Sequence, residues 1–319
     1  MSENPANDVS EVAPTALNHL IGQRSVVAQV RVAVEAGFAD GRKFDHGLLV
    51  GPPGLGKSAL AKVIAQEMAS GFHEVIGQSI KNPADLNALL LEAQEKDVVH
   101  IDECHELKKP FQTALYLAID KRQIFLQGGG SKPQSIPIAD FTLLLSTTDE
   151  YSLLQPLRDR MKLLLRFEFY SVEELTEVLR HRIRALHWQV DESLLPLIAQ
   201  RSRGTPRLAL RLLQSCRRVC RSEGSSSITA EHLDRACQLE QIDGLGLGPI
   251  EQRYLSVVAE GSSRLNVIAS RLGLPVRTVS LVVEPFLIRV GLVLKDDAGR
   301  RQLSAEGREY WAAQRAKSV

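Results

Sequence analysis

Through the first half of the chain, short apolar runs that end in polar residues alternate with stretches of helical spacing. His46-Gly47-Leu48-Leu49-Val50 closes on a glycine, as a buried parallel strand does. Residues 97–101 and 141–146 repeat the pattern, the first running into Asp102 and Glu103, the second into Thr147 and Thr148. Within residues 17–40, Val26, Val30 and Val34 fall four apart, and a second helix is expected from Lys57 through Ala69. Strands alternating with helices, with polar groups at the strand C-termini, predict a doubly wound parallel α/β domain. Ligands of such sheets bind at those strand ends.

Between the second and third strands, alternating flanks around a glycine-rich tip at Gly128, Gly129 and Gly130 predict a β-hairpin from Gln123 to Ile138. From Ser171 onward the pattern becomes helical, over residues 172–187, 194–201, 206–221 and 229–239. Ser171 with Glu174 forms a capping box, and Thr229 with His232 a partial one. The glycine-rich stretch 244–249 marks the clearest domain boundary. Three short helical patterns and two strands around a turn at residues 292–303 then predict a winged helix. In it Val279, Val282, Val283, Phe286 and Val290 should share one core-facing side. The expected division is a disordered arm at 1–16, a nucleotide-binding domain at 17–170, an all-α lid at 171–243 and the winged helix at 244–319.

Composition narrows the class. A chain of 319 residues with 44% hydrophobic and 24% charged residues is long enough for several cores and ordinary for a globular protein. It has no apolar run of membrane-spanning length and no secretory leader pattern, so the cytoplasm is the expected compartment and no membrane partner is expected. Cys104, Cys216, Cys220 and Cys237 lack the paired spacing of a structural zinc site and read as buried apolar groups. The net charge of +1 conceals a gradient, since residues 245–319 carry 11 Lys+Arg against 7 Asp+Glu. A mildly basic C-terminal segment is compatible with phosphate contact.

The candidate chemistry lies at the ends of the predicted strands. Gly51-Pro52-Pro53-Gly54-Leu55-Gly56-Lys57-Ser58 matches the phosphate-loop pattern between a strand and a helix. Its glycines let backbone N–H groups converge on phosphates at a helix N-terminus. Lys57 would reach the β- and γ-phosphates of ATP, and Ser58 would hold Mg²⁺ with support from Asp102. Glu103, next in the chain, would polarise the attacking water. Thr148 ends the third strand, where a hydroxyl can meet the γ-phosphate. Arg160, in the run Leu157-Arg158-Asp159-Arg160, suits an arginine finger acting on a neighbouring subunit, with surface ion pairing as the alternative. Arg207 opens a helix after Pro206, where its charge opposes the helix dipole, and so reads as a sensor for ATP in the same chain.

With these pieces in order, the chain resembles the RuvB family of AAA+ motors that drive branch migration at Holliday junctions. The resemblance runs from about Leu17 to Trp311. It rests on Ile21-Gly22-Gln23, the phosphate loop, Asp102-Glu103 with His105, Pro156 to Arg160, Phe167 to Tyr170 and Arg201 to Arg207. Glu284-Pro285-Phe286-Leu287 and Gly299-Arg300 complete it. It implies an ATP- and Mg²⁺-dependent ATPase with Thr148 as sensor 1, Arg160 as the trans finger and Arg207 as sensor 2. Ile21 and Tyr170 would lie at the adenine. It further implies a homo-oligomer, in the family a hexameric ring, around duplex DNA, with a RuvA-type partner on the Gln123 to Ile138 hairpin.

In the winged helix, Arg277 and Thr278 fall outside the apolar side, and with Arg300 and Arg301 from the wing they are the expected DNA contacts. Three positions depart from the family: Asp149 stands where it has arginine, the hairpin tip is glycine alone, and the wing carries Asp296 and Asp297. Two other functions remain open from the residues themselves. One is a clamp-loader-like or remodelling ATPase whose winged helix binds protein. The other is a DNA-binding regulator in which nucleotide only sets the oligomeric state.

Overall fold

The computed structural model describes residues 8, 9, 12–126 and 134–317. Two compact bodies are distinguished, residues 1–188 with 204–211, and residues 189–203 with 212–319. The hairpin tip and most of the expected disordered arm lie outside the described residues.

The first body begins with α1 (Arg24–Ala39), β1 (Gly47–Val50), α2 (Lys57–Glu67), β2 (Phe72–Ile76), α3 (Pro83–Glu92), β3 (Val98–Asp102) and α4 (Lys109–Lys121). There follow β4 (Gln123–Leu126), β5 (Gln134–Pro137), β6 (Thr142–Thr147), α5 (Gln155–Arg158), β7 (Leu163–Arg166) and α6 (Val172–Leu186). Five parallel strands run in the order β2-β3-β6-β1-β7. Both faces are covered, as the unbroken apolar strands require. Val26, Val30 and Val34 of α1 pack with Leu60 and Ile64 of α2 in one core. Leu86, Leu90, Phe111 and Leu115 of α3 and α4 fill the other. The predicted strands and helices appear, with β2 and β7 in addition, and β4 pairs with β5 as the expected antiparallel hairpin.

One polar group sits inside this sheet. His100 on β3 is fully buried, with Nδ1 2.9 Å from Glu74 Oε1 on β2 and Nε2 2.8 Å from Ser146 Oγ on β6. Both ring nitrogens are therefore satisfied, as burial demands. The network ties together three strands just before their functional ends.

The remaining elements are β8 (Gln189–Val190), α7 (Leu194–Gln200), α8 (Pro206–Ser222), β9 (Ser227–Ile228), α9 (Ala230–Glu240), α10 (Pro249–Ala259) and β10 (Ser263–Arg264). Last come α11 (Leu265–Leu272), α12 (Val276–Thr278), α13 (Glu284–Arg289), β11 (Val293–Lys295), β12 (Arg300–Leu303) and α14 (Ala305–Lys317). All four cysteines are unpaired and buried, in keeping with the apolar reading.

The C-terminal segment has the winged-helix elements, with a sheet in the order β10-β12-β11. Two expectations fail here. Val279 and Val283 are buried along with Leu287, but Val282 is 66% exposed and Val290 is also exposed. Residues Val279–Val283 form a π turn, whose wider spacing rotates Val282 out of the stripe that a regular helix would give. The second correction concerns Arg301, expected at DNA.

Side chains on a strand alternate, and β12 reads exposed, buried, exposed, buried from Arg300 to Leu303. Arg301 therefore points inward and is only 8% exposed. Its Nε donates to Glu284 Oε1 at 2.6 Å and its Nη2 to Glu284 Oε2 at 2.9 Å. The Tyr254 hydroxyl donates to the same carboxylate at 2.8 Å. Burial pushes the Glu284 carboxyl up, but Arg301 and Tyr254 outweigh it and hold the group below its ordinary value of 4.5.

Removing one member strands the other charge in the core, so Arg301→Ala should destabilise the winged helix by about 3–5 kcal/mol in chemical denaturation. Replacing Arg301 and Glu284 together by apolar residues should cost far less. Because the folded carboxyl is the stronger acid, its contribution should be complete above the ordinary Glu value and fade as pH falls below it.

Candidate functional site: a nucleotide cavity at the strand ends

The phosphate loop connects β1 to α2, whose N-cap is Gly56. Two glycines have specific reasons. Gly51 lies against the Phe167 carbonyl, which a Cβ would meet at 2.9 Å. Gly54 adopts φ +81°, and a Cβ there would lie 2.9 Å from Cβ of Arg207. The Arg207 N–H donates to the Gly54 carbonyl at 3.3 Å, so the first turn of α8 sits directly on the loop. That contact brings the expected sensor arginine to the phosphate loop from 153 positions away along the chain, the separation of Gly54 and Arg207.

Lys57 is 6% exposed, and its ammonium donates to the carbonyls of Gly51 at 2.7 Å and Pro52 at 2.9 Å. Burial lowers its pKa, while the charges of Glu103 and Asp102 act in the opposite direction. Ser58 Oγ donates to Asp102 Oδ2 at 2.9 Å, and the Glu103 N–H donates to Asp102 Oδ1 at 2.9 Å. A serine hydroxyl beside a carboxylate is the hard oxygen chemistry that Mg²⁺ takes, so the residues present fit that ion.

Glu103 occupies the left-handed region at φ +49°. Its Oε2 lies 3.3 Å from His105 Nδ1, and the same ring nitrogen is 3.2 Å from Thr147 Oγ1. His105 thus stands between the expected water-activating acid and the end of β6. The third strand ends one residue earlier than expected: Thr147 is buried at its terminus, whereas Thr148 is exposed and lies beyond it. Thr147 Oγ1 also accepts the Asp149 N–H at 2.9 Å, which turns the chain out of the sheet. The carboxylate of Asp149, the residue that departs from the family's arginine, is used in the local turn. That side chain is exposed and accepts the Tyr151 N–H at 3.1 Å.

These groups surround a cavity of about 670 Å³. Ile21, residues 53–58, Asp102, Glu103, Tyr170 and Arg207 line it, which gathers most of the expected nucleotide residues. Tyr170 is wedged against Gly22, where a Cβ would lie 2.7 Å from its ring, and its hydroxyl donates to the Leu55 carbonyl at 3.3 Å. Burial pushes its phenol up to about 12. Val12, Ala13, Pro14 and Thr15 line the cavity too, so this part of the expected arm has a structural place. A polar, proline-bearing segment gives no periodic signal, and sequence reasoning missed it for that reason.

Arg160 stands outside this cavity. Its Nε donates to Asp120 Oδ1 at 2.8 Å, its Nη2 pairs with Asp120 Oδ2, and its guanidinium lies 5.0 Å from the Tyr116 ring centroid. Both partners lie on α4, which fixes the direction of the arginine.

In the winged helix, Arg277 and Arg300 are exposed and Thr278 is half-buried. The Arg300 N–H donates to Asp296 Oδ1 at 2.7 Å, so one of the wing's acids shapes its turn. Sequence reasoning missed Arg264, which pairs directly across from Arg300 in the β10–β12 ladder and is exposed as well. Like charges set opposite one another in a sheet repel, which favours an anion between them. Only the strand register could have identified that pair.

Gly54→Ala forces a side chain into the left-handed region against Arg207, at a local cost of about 1–3 kcal/mol. Nucleotide affinity should fall at least tenfold, measured with a fluorescent ATP analogue, while circular dichroism shows a folded protein.

Three family descriptions tile the chain: the Holliday junction DNA helicase RuvB P-loop domain over residues 12–167, the RuvB AAA lid domain over 170–243, and the RuvB C-terminal winged helix domain over 244–312. The Holliday junction branch migration complex subunit RuvB of Kosmotoga olearia is 35% identical over 294 residues, covering 90% of this chain and 86% of that protein. Its counterpart from Koribacter versatilis is 35% identical over 297 residues, 91% of this chain and 82% of that protein. Among solved structures, a Thermotoga maritima RuvB mutant superposes with a TM-score of 0.84 at 32% identity, covering 94% of this chain and 98% of that one. Agreement in fold, in all three segments and in sequence over nine-tenths of its length makes this chain a member of the RuvB family.

Proposed function

We propose that the protein is an ATP-hydrolysing motor that drives branch migration of Holliday junctions. The observation that carries this reading is the set formed by Lys57, Ser58, Asp102, Glu103 and Arg207 around one cavity, in a chain that matches RuvB in all three segments. Clamp-loader-like remodelling and nucleotide-set regulation have no observation in their favour of comparable reach.

Each residue has a definable task. Lys57 and the N–H groups of the loop bind the β- and γ-phosphates, and Arg207 reports on them from the first turn of α8. Ser58, with Asp102 behind it, would hold Mg²⁺, which would supply neutralisation of phosphate charge. Glu103 orients and polarises the attacking water, with His105 setting the direction of its carboxylate. Thr147 is the strand-end hydroxyl linked to that acid, by way of His105, and Thr148 keeps the sensor 1 role only by analogy with the family.

Arg160 acts on the nucleotide of a neighbouring subunit, so the working form is an oligomer and, by family analogy, a six-membered ring. The nucleotide-binding part at 17–170, the lid at 171–243 and the winged helix at 244–319 would work as a unit. Duplex DNA meets Arg277, Thr278, Arg300 and Arg264. The β4–β5 hairpin, with Phe125 exposed, is the docking element for a RuvA-type partner. No single helix among the described residues is long and apolar enough to cross a membrane, and the proposed place of work is the cytoplasm, with the DNA.

On a synthetic four-way junction supplied with a RuvA-type protein, the wild type should separate the arms in an ATP-dependent manner. Glu103→Gln should still bind ATP but lose at least 100-fold in hydrolysis and all junction movement. Full turnover by that variant would remove Glu103 from its role, and ATP hydrolysis without junction movement would favour a remodelling function.

The trans role of Arg160 has its own test. Arg160→Ala and Glu103→Gln subunits, each inactive alone, should regain ATPase activity when mixed, because a Glu103→Gln subunit can supply Arg160 to a neighbour's site that keeps Glu103. No recovery on mixing, or full activity in Arg160→Ala alone, would return Arg160 to surface ion pairing.

A further inference from the structure

One wall of the nucleotide cavity is not accounted for by phosphate binding. Val178, His181, Arg182 and Ala185 line the cavity, and their spacing of three and four places them on one face of α6. Leu175, Leu179, Ile183 and Leu186 of the same helix are buried, so α6 is divided between a core face and a cavity face. The same cavity is bounded by Val12, Ala13, Pro14 and Thr15, which belong to no helix or strand.

Arg182 joins these two walls. It is half-buried, and its Nη1 donates to the Val9 carbonyl at 2.7 Å. Val9 is itself buried. Burial is what acts on the guanidinium, pushing its pKa down, and no carboxylate stands beside it among the described residues. A partly desolvated cation needs strong acceptors, and a carbonyl held at short range is one. The bond spans 173 positions of sequence, and no other described contact of the guanidinium competes with it.

We propose that Arg182 is a positioning residue for nucleotide binding: it fastens the chain at Val9, so that Val12 to Thr15 stand as a preformed wall of the ATP cavity. This rests on the ATP reading given above. Without the fastening, ATP binding would have to order those residues itself, and affinity would fall by the entropy of doing so. Glu103 and the phosphate loop are not touched by Arg182 or Val9, so the chemical step should be spared. The effect belongs in KM and in the dissociation constant, with little change in kcat.

The test uses the full chain with a fluorescent ATP analogue and steady-state ATPase assays. Loss of one hydrogen bond to a charged group corresponds to roughly a tenfold change in affinity. Arg182→Ala should therefore raise the dissociation constant and KM about tenfold and leave kcat within about twofold. Arg182→Lys, which keeps a donor and the charge, should recover most of the affinity. Val9→Gly keeps the carbonyl that accepts this bond but removes the buried side chain that holds it in place. It should shift affinity in the same direction as Arg182→Ala by a smaller factor, and the double variant should be no worse than Arg182→Ala alone, because without Arg182 there is no bond left to position.

Unchanged affinity in Arg182→Ala, losses that simply add in the double variant, or a fall in kcat at constant KM would each overturn the proposal. Were Arg182→Ala unable to fold, as thermal melting would reveal, Arg182→Lys and Val9→Gly provide the same comparison. Wild-type protein that fails to bind the analogue would overturn the ATP reading itself, a separate result from any difference among variants.

Discussion

An ammonium group buried at the end of a β-strand is the constraint around which the first body is organised. Lys57 is withdrawn from water, and burial alone would favour its neutral form. The structure answers with two loop carbonyls at short distance and with the charges of Asp102 and Glu103 from the neighbouring part of the sheet. Those acids reach the lysine because β3 and β1 both border β6. The bend at Gly54 and the contact with Arg207 close the arrangement from another side. The His100 network then holds β2, β3 and β6 in register one turn of pleat before the reactive ends.

The parts of this site that were legible in the sequence are those whose chemistry is local. A glycine-rich loop between strand and helix, or two acids at the end of an apolar run, needs only neighbours in the chain to make sense. The structure gathers Ile21, Lys57, Asp102, Glu103, Tyr170 and Arg207 accordingly around one cavity. Positions that depend on where a strand stops or which way it faces were not legible. Thr147 and Thr148 differ by one residue, yet one is buried and the other exposed, and Arg300 and Arg301 divide in the same way. With a side-chain period of two, an error of one residue inverts the assignment. Val282 failed for a related reason, a π turn that sequence periodicity does not contain.

Arg160 illustrates a different economy of position. A finger that waits for a neighbouring subunit would be a mobile, hydrated side chain if nothing held it. Asp120 and Tyr116 restrict it from one helix, α4, at a partly exposed site where the pair adds little stability but considerable direction. On the proposed trans role, the site and Arg160 are prepared on separate parts of the same body, as a shared active centre would require.

Arg264 and Arg300, opposite one another on adjacent strands of the wing, give the proposed DNA-facing surface a property of its own. Their repulsion is a small internal pressure on the very ladder that shapes the wing. A polyanion relieves it, and so does dissolved salt, by screening. Ionic strength therefore acts twice and in opposite senses: it loosens the grip on phosphates while it relaxes the sheet that presents the arginines. The wing is most tense in dilute buffer without nucleic acid, the condition in which its attraction for any polyanion is also strongest.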